Sequence, residues 1–404
     1  MPGPLHGVRV LDLSRILAGP WAGQVLADLG AEVIKVERPE VGDDTRSWGP
    51  PFLPPAAGGP ARGESAYFLC ANRGKKSVTI DFAKPEGQAL VKRLAAQSDI
   101  LLENFKVGGL ARLGLGPADM AEVNPRLIYC SITGFGQTGP YRARAGYDFL
   151  MQGMGGLMSL TGEPDGEPMK VGVAVTDVFT GMYAATSVLA ALAERARSGL
   201  GQHIDIALFD VQIATLANQI MSYLVSGEQP PRLGNAHPSI VPYQVFPAQD
   251  GHVILAIGND EQFRRFADFA GAPELALDAR FATNPARVRN RAALIPLLEA
   301  LMRQRPAQSW IAGLEMIGVP CGPINQFADL EGHEQVRARG IFKTVPHPSA
   351  GSMRSVANPM RFSRTQVEDE RASPLLGADT QDVLGGMLGI SGEELGALRL
   401  AGIV

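Results

Sequence analysis

Cysteine is scarce in this sequence. Cys70, Cys130 and Cys321 are its only three, widely spaced and without a CxxC or Cys/His cluster. That excludes a disulfide framework and a cysteine-based zinc site, so no metal is expected, and it favours a reducing compartment. Positive charge is not in excess either. The formal net charge is −4, which argues against a nucleic-acid binder, although a local basic patch could still hold a phosphorylated ligand. The N-terminus, MPGPLHGVRVLDLS, lacks a basic region followed by an apolar one, so no secretory signal is read there. The longest apolar run, Met182 to Leu192, is too short to span a bilayer. A soluble, cytoplasmic protein is the expectation. GxGxxG, GxSxG, HExxH and the P-loop are all missing, which removes the motif support for nicotinamide, flavin, serine-hydrolase, zincin and nucleotide-triphosphate chemistry.

What is present is a globular composition, 45% apolar over 404 residues, enough for two or three cored domains. Val8–Leu13, Val33–Val36, Ser77–Asp81, Asp99–Glu103, Leu127–Ile132 and His203–Leu208 read as strands. Helical patterns at 21–29, 85–97 and 210–225 alternate with them. This order predicts an α/β domain with a parallel, doubly wound sheet over about 1–224. Composition changes near Gly227. Two strands, Tyr243–Phe246 and Gly251–Ile257, precede helices at 261–269, 292–303 and 307–317, which predicts a smaller α+β domain over 225–330. Residues 331–404 carry extended pieces at 340–345 and 351–356 and then two helices. The Pro/Gly-rich stretch Gly49–Gly63 reads as a long, functional loop.

The chemistry centres on KVGVAVTDVFTGMYAATSVLAALAERAR, from Lys170 to Arg197. A β-branched run, Val171–Val175, leads to Asp177 at the start of a long apolar helix. A carboxylate there is either a plain helix cap or a nucleophile, ionised at neutral pH and needing no general base to attack an activated acyl group. Asp148 is the second acid in apolar surroundings. Arg38, Arg46, Arg73, Lys75, Lys76 and Arg112 fall in loops next to strands, where an open sheet binds ligands, and would suit phosphates. The small-residue turn Leu17–Pro20 precedes a helix start. His237 lies in the loop GNAHPSIVPYQ.

At this point GVRVLDLSRILAGPWAGQVLADLGAEVIKVERPEVGDDTR, LLENFKVGGLARLGLG, YCSITGFGQTGPY and the stretch from Gly146 to Ala184 resemble the class III CoA-transferases. That family includes formyl-CoA:oxalate CoA-transferase, carnitine CoA-transferase and α-methylacyl-CoA racemase. GVPCGPIN at 318–325 and PLLGADT at 374–380 extend the resemblance over the chain. It implies an interlocked homodimer, each chain having a Rossmann-like large domain, a small domain and a C-terminal segment returning to the large one. It implies that Asp177 is the catalytic carboxylate, passing through an aspartyl anhydride and an aspartyl-CoA thioester. It implies CoA contacts at Ile16, Leu17, Ala18, Arg38, Lys75, Asn104, Phe105 and Arg112, and a substrate loop containing Gly234, Asn235 and His237. The cofactor expectation is a CoA thioester as substrate, with none bound permanently. Partners are acyl-CoA and a carboxylic acid, without nucleic acid or membrane.

The loop NAHPSI differs from the glycine run of the formyl-CoA enzyme. GNAHPSIVPYQVF and the tail AGIV resemble the dicarboxylate branch that uses succinyl-CoA and glutarate. Arg232, His237 and Arg46 are then candidates for a distal carboxylate. Two alternatives stand beside this. A racemase would need a base where Tyr147 stands, and an unperturbed tyrosine pKa of about 10 makes a poor one. A non-catalytic CoA-binding protein would use Asp177 only as a cap.

Overall fold

β1 (Arg9–Asp12) is buried almost throughout because it lies in the middle of a parallel sheet covered on both faces. The computed structural model describes residues 2–56 and 63–404. The middle of the loop expected over 49–63, residues 57–62, lies outside the described residues. Contacts divide the chain into two compact units. The first comprises Met1–Leu157, Lys170–Ser226 and Arg337–Val404; the second comprises Met158–Met169 and Gly227–Val336. The segment Met158–Met169 thus groups with the second unit, inside a range read from sequence as part of the large domain.

In the first unit, β1 joins β2 (Glu32–Glu37), β3 (Lys76–Thr79), β4 (Ile100–Glu103), β5 (Ile128–Thr133) and β6 (His203–Ala207). All neighbours are parallel, in the order β3-β2-β1-β4-β5-β6. The winding reverses between β1 and β4, and the loops that follow these two strands part to leave a crevice. Alternation along the strands feeds two cores. Leu11, Ile34, Val36, Val78 and Leu101 pack with Leu90 and Leu94 and with Val383, Leu384 and Leu395. Val10, Val33, Ile100, Leu102, Ile128 and Cys130 pack on the other face with Ala22, Val25 and Leu26 and with Ala184, Ala185, Val188 and Ala191. That second layer holds helix Ala18–Asp28 and helix Val175–Ser198. Gly181 lets the two helices touch: a Cβ there would lie 2.7 Å from the Ala18 carbonyl oxygen.

Helix Val175–Ser198 extends beyond the apolar run Met182–Leu192 on both sides. With 24 residues it is the one helix among the described residues long and apolar enough, by length and composition, to cross a membrane. Its buried stripe is instead packed into the core just described. The segment 210–225 is not one helix. Leu208–Ala214 and Ala217–Ser226 are separate, broken at Thr215–Leu216, with Ala217 at φ +47°.

The C-terminal part of the first unit returns to its beginning. After the antiparallel hairpin of β10 (Phe342–His347) and β11 (Gly351–Val356), residues 377–380 meet the outer edge of β3. The Ser77 amide donates to Asp379 Oδ2 at 2.8 Å and the Thr79 amide to Thr380 Oγ1 at 3.0 Å. In the second unit β7 (Tyr243–Pro247) and β8 (His252–Ala256) pair antiparallel, β8 also meeting the short β9 (Cys321–Gly322). Phe246, Val253, Leu255, Phe263, Phe266, Leu298 and Trp310 form its core.

Candidate active site

The crevice at the reversal point holds a cavity of about 430 Å³. The loop after β1 contributes Arg15, Ile16, Leu17 and Ala18; the loop after β4 contributes Asn104, Phe105, Lys106 and Arg112. Thr133 ends β5 and Gly134 follows it, and Asp177 reaches the cavity from the first turn of helix Val175–Ser198. Three of the expected CoA contacts in the first turn, three in the ENF…R motif and the expected nucleophile therefore border one space.

Asp177 does not cap its helix, which corrects one of the two sequence readings. Val171–Val175 is not a strand; the helix starts at Val175 and Asp177 is its third residue. The capping group is Asp148, the first residue of helix Asp148–Met154. Its Oδ1 accepts the Thr176 amide at 2.8 Å and the Asp177 amide at 3.3 Å. Gln152 Nε2 donates to Asp148 Oδ2 at 2.7 Å, and Gln152 Oε1 accepts the Val171 amide at 2.9 Å. Thr176 Oγ1 donates to Gln212 Oε1 at 2.5 Å. The Asp177 carboxylate itself has no hydrogen-bond partner among the described residues. Burial, and then the neighbouring Asp148 charge, push its pKa up to about 7. A poorly solvated carboxylate is more basic and a better nucleophile.

The cations divide into two groups. Lys75, expected among the CoA contacts, is internal. Its ammonium donates to Asp12 Oδ2, the Pro20 carbonyl and Asn72 Oδ1, each at 2.9 Å. All three donors are used, so it braces the loop after β1 and presents no free charge to a ligand. Arg46 grips Glu37 through two 2.7 Å bonds and lies over Phe68, which removes it as a free receptor for a distal carboxylate. Arg73 is held by Asp28 and Lys76 by Glu32. Arg38 and Arg112 remain at the openings. Arg112 lines the main cavity; Arg38 lines a neighbouring one of about 110 Å³ that shares Arg15, Phe82 and Phe105 with it.

Arg15, Lys106, Arg142 and Arg144 also line the main cavity and were not singled out from the sequence. Arg15 pairs with Asp44 at 2.9 Å and lies over Phe105, while its Nε is buried without a partner. Arg144 lies over Tyr141. The readable signal was the R-x-R of YRARAGYD, with Arg142 and Arg144 six and four residues before Asp148. Asn104 has a structural side to its position: it exchanges hydrogen bonds with the Arg15 backbone, at 2.9 and 2.6 Å. Tyr147 borders the cavity and is well exposed.

Gly234, Asn235 and His237 lie in the second unit. The Gly234 amide donates to the Gly162 carbonyl at 3.2 Å, and His237 Nδ1 accepts the Ser239 amide at 3.0 Å. Arg232 donates to the carbonyls of Glu163, Pro164 and Gly166 within the same unit.

Known proteins match this architecture over nearly its full length. The pattern of CoA-transferase family III covers residues 5–380. Succinate–glutarate CoA-transferase of Agrobacterium fabrum is 51% identical over 381 residues, 94% of this chain and 95% of that protein. Human succinyl-CoA:glutarate CoA-transferase is 41% identical over 401 residues, 99% of this chain and 90% of that protein. The crystal structure of a CAIB/BAIF family protein from Brucella suis has a TM-score of 0.84 and 51% identity, covering 96% of this chain and 100% of that one. The chain belongs to CoA-transferase family III, and it is an enzyme of that class.

Proposed function

We propose that this enzyme moves CoA from succinyl-CoA to a dicarboxylic acid such as glutarate, with Asp177 as the nucleophile. The activities for which the two relatives are named support the substrate pair. The observation that carries the reading is the Asp177 carboxylate, unpartnered and facing a cavity rimmed by arginines. In the proposed sequence Asp177 attacks the thioester carbonyl, the C–S bond breaks, and the CoA thiolate leaves with the electron pair. The resulting mixed anhydride is attacked at its aspartyl carbonyl by the same thiolate, which releases succinate and leaves aspartyl-CoA. The acceptor carboxylate then attacks that thioester and expels the CoA thiolate, giving a second anhydride between Asp177 and the acceptor. The thiolate attacks the acceptor's acyl carbon, which forms the new acyl-CoA and releases the Asp177 carboxylate. One thioester replaces another, so the exchange needs no external energy source.

Arg15, Arg112, Arg142, Arg144 and Arg38 are placed by this reading around the phosphates and nucleotide end of CoA. Ile16, Leu17, Ala18, Asn104 and Phe105 complete its contacts. Gly234, Asn235 and His237 form the substrate loop of the small domain. The two units act as a Rossmann-like CoA-binding domain with a returning C-terminal segment, and a small α+β domain. The assembly is an interlocked homodimer; exposed Phe149, Val173, Leu224 and Val225 support an apolar partner surface in the first unit. The three free thiols fit a cytoplasmic setting.

The test is the intact mass of the enzyme after mixing with succinyl-CoA. A CoA-sized adduct that hydroxylamine removes and Asp177→Ala lacks is the expected result. No adduct, together with deuterium exchange at the α carbon of a 2-methylacyl-CoA, would replace this reading with the racemase.

A further inference from the structure

Asp148 was conspicuous in the sequence as an acid in an apolar stretch, and the transfer chemistry above gives it no task. Its carboxylate is tied to the nucleophile's own backbone. One oxygen takes the amides of Thr176 and Asp177, and the other takes Gln152 Nε2. A neutral acceptor such as Asn or Ser would cap the helix start about as well. The carboxylate brings in addition a negative charge beside the Asp177 carboxylate, at a helix N-terminus that stabilises one anion more readily than two.

We propose that Asp148 is a positioning residue for the transfer reaction: it clamps the first turn bearing Asp177 and sets a like charge against the nucleophile, a repulsion that acylation of Asp177 removes. The inference rests on the reading of Asp177 as the nucleophile. When the Asp177 oxygen bonds to the acyl carbon and the C–S bond breaks, the charge on Asp177 passes to the departing thiolate. The Asp148–Asp177 repulsion ends at that step and stays absent in the anhydride and the aspartyl-CoA thioester. The states before acylation, the free enzyme and its acyl-CoA complex, bear it, so the covalent forms gain in population and the attack gains in rate.

The other groups around Asp177 do not cancel this repulsion. Tyr67, on the short helix Ala66–Leu69, is neutral at physiological pH: burial first, then Asp177, Cys70 and Asp148, push its phenol up to about 12. Arg15, Lys106, Arg112, Arg142 and Arg144 border the same cavity but none makes an ion pair with Asp177 among the described residues. The pKa of Asp177, up at about 7, agrees with burial and Asp148 prevailing over that rim.

The test is the rate of aspartyl-CoA adduct formation against pH, read by quenched-flow mass spectrometry on the full-length wild type, Asp148→Asn, Asp148→Glu and Thr176→Val. Asp148→Asn keeps a cap acceptor and removes the charge. Its acidic limb is expected to move down by about one pH unit or more, its plateau rate at pH 8 to fall about tenfold, and its equilibrium adduct fraction to drop. Asp148→Glu should move the limb back toward the wild-type position. Thr176→Val removes the Gln212 bond and leaves the charge, so it should lower stability with the limb in place. An unmoved limb in Asp148→Asn, or an equal change in Thr176→Val, would reduce Asp148 to a helix clamp and overturn the proposal. If Asp148→Asn does not fold, Asp148→Ser takes its place; failure of both to fold assigns Asp148 to the fold alone and also overturns it. Absence of any adduct in the wild type is a separate result, and counts against the nucleophile itself.

Discussion

Lys35 and Asp43 form a 2.9 Å ion pair with both side chains completely buried. Asp43 also accepts the Ile16 amide, at 3.3 Å from each oxygen, and the Thr45 amide and hydroxyl. Ile16 has φ +74°, a left-handed conformation that costs a β-branched residue about 1–2 kcal/mol. The buried pair therefore holds a strained residue at the lip of the cavity.

Lys35→Met leaves the Asp43 charge buried without its partner. The expected loss is about 3–5 kcal/mol in urea unfolding at pH 7. Burial alone would raise the Asp43 pKa, but Lys35 and the Thr45 bonds hold it down at about 2. A depressed carboxylate stabilises above its unfolded pKa. This contribution, about 2 kcal/mol, is full above about pH 4 and should vanish as pH falls toward 2. Asp43→Asn should flatten the acid-unfolding curve in that window; an unchanged curve would count against the pair.

Asp177 works in the opposite direction. Its raised pKa means the folded protein binds a proton more tightly than the unfolded chain. Stability is then lost as pH rises from about 4 to about 7. Asp177→Asn should match the wild type below pH 4 and melt higher above pH 7, by at least about 2 °C in calorimetry. A variant that melts lower at pH 8 would contradict the buried-charge account.

Gly181→Ala places a methyl group 2.7 Å from the Ala18 carbonyl oxygen and 3.0 Å from Trp21 Cβ. Backbone cannot swing aside as a flexible side chain would, so the two helices must separate. A loss of about 1–3 kcal/mol is expected. Because Asp177 is one turn away on the same helix, turnover should fall in the same variant. Parallel measurement of Tm and kcat checks both.

Removing Arg142 and Arg144 together to alanine should raise KM for the acyl-CoA much more than it lowers kcat, and should weaken the dependence of KM on salt. Neither arginine has a carboxylate partner among the described ion pairs, so folding stability should hold. A fall in kcat at constant KM would assign them to the reacting centre.

The sheet was readable because strands buried on both faces appear as β-branched and aliphatic runs; Val10, Val33, Ile100 and Ile128 each lie in such a run. The break at Leu216 was not, since DVQIATLANQI contains neither proline nor glycine to mark it. Half of the site was legible too. The turn Ile16–Ala18, the Asn104–Phe105–Arg112 motif and Asp177 all come to one cavity. Arg46, Arg73, Lys75 and Lys76 misled because a loop cation shows nothing of its partner. Lys75 meets Asp12 from 63 positions away and Arg73 meets Asp28 from 45. The same holds for the cap: Asp148 lies 28 residues before the amide it serves, so local pattern assigned that task to Asp177.

The closure of β3 by Asp379 and Thr380 joins residues about 300 positions apart. On a ribosome adding about 5–20 residues per second, β3 emerges roughly 15–60 s before the groups that satisfy its outer amides. During that interval the nascent chain displays an open sheet edge, the kind of template on which unrelated strands associate. The yield of this enzyme should therefore depend more on expression temperature than its final stability would suggest.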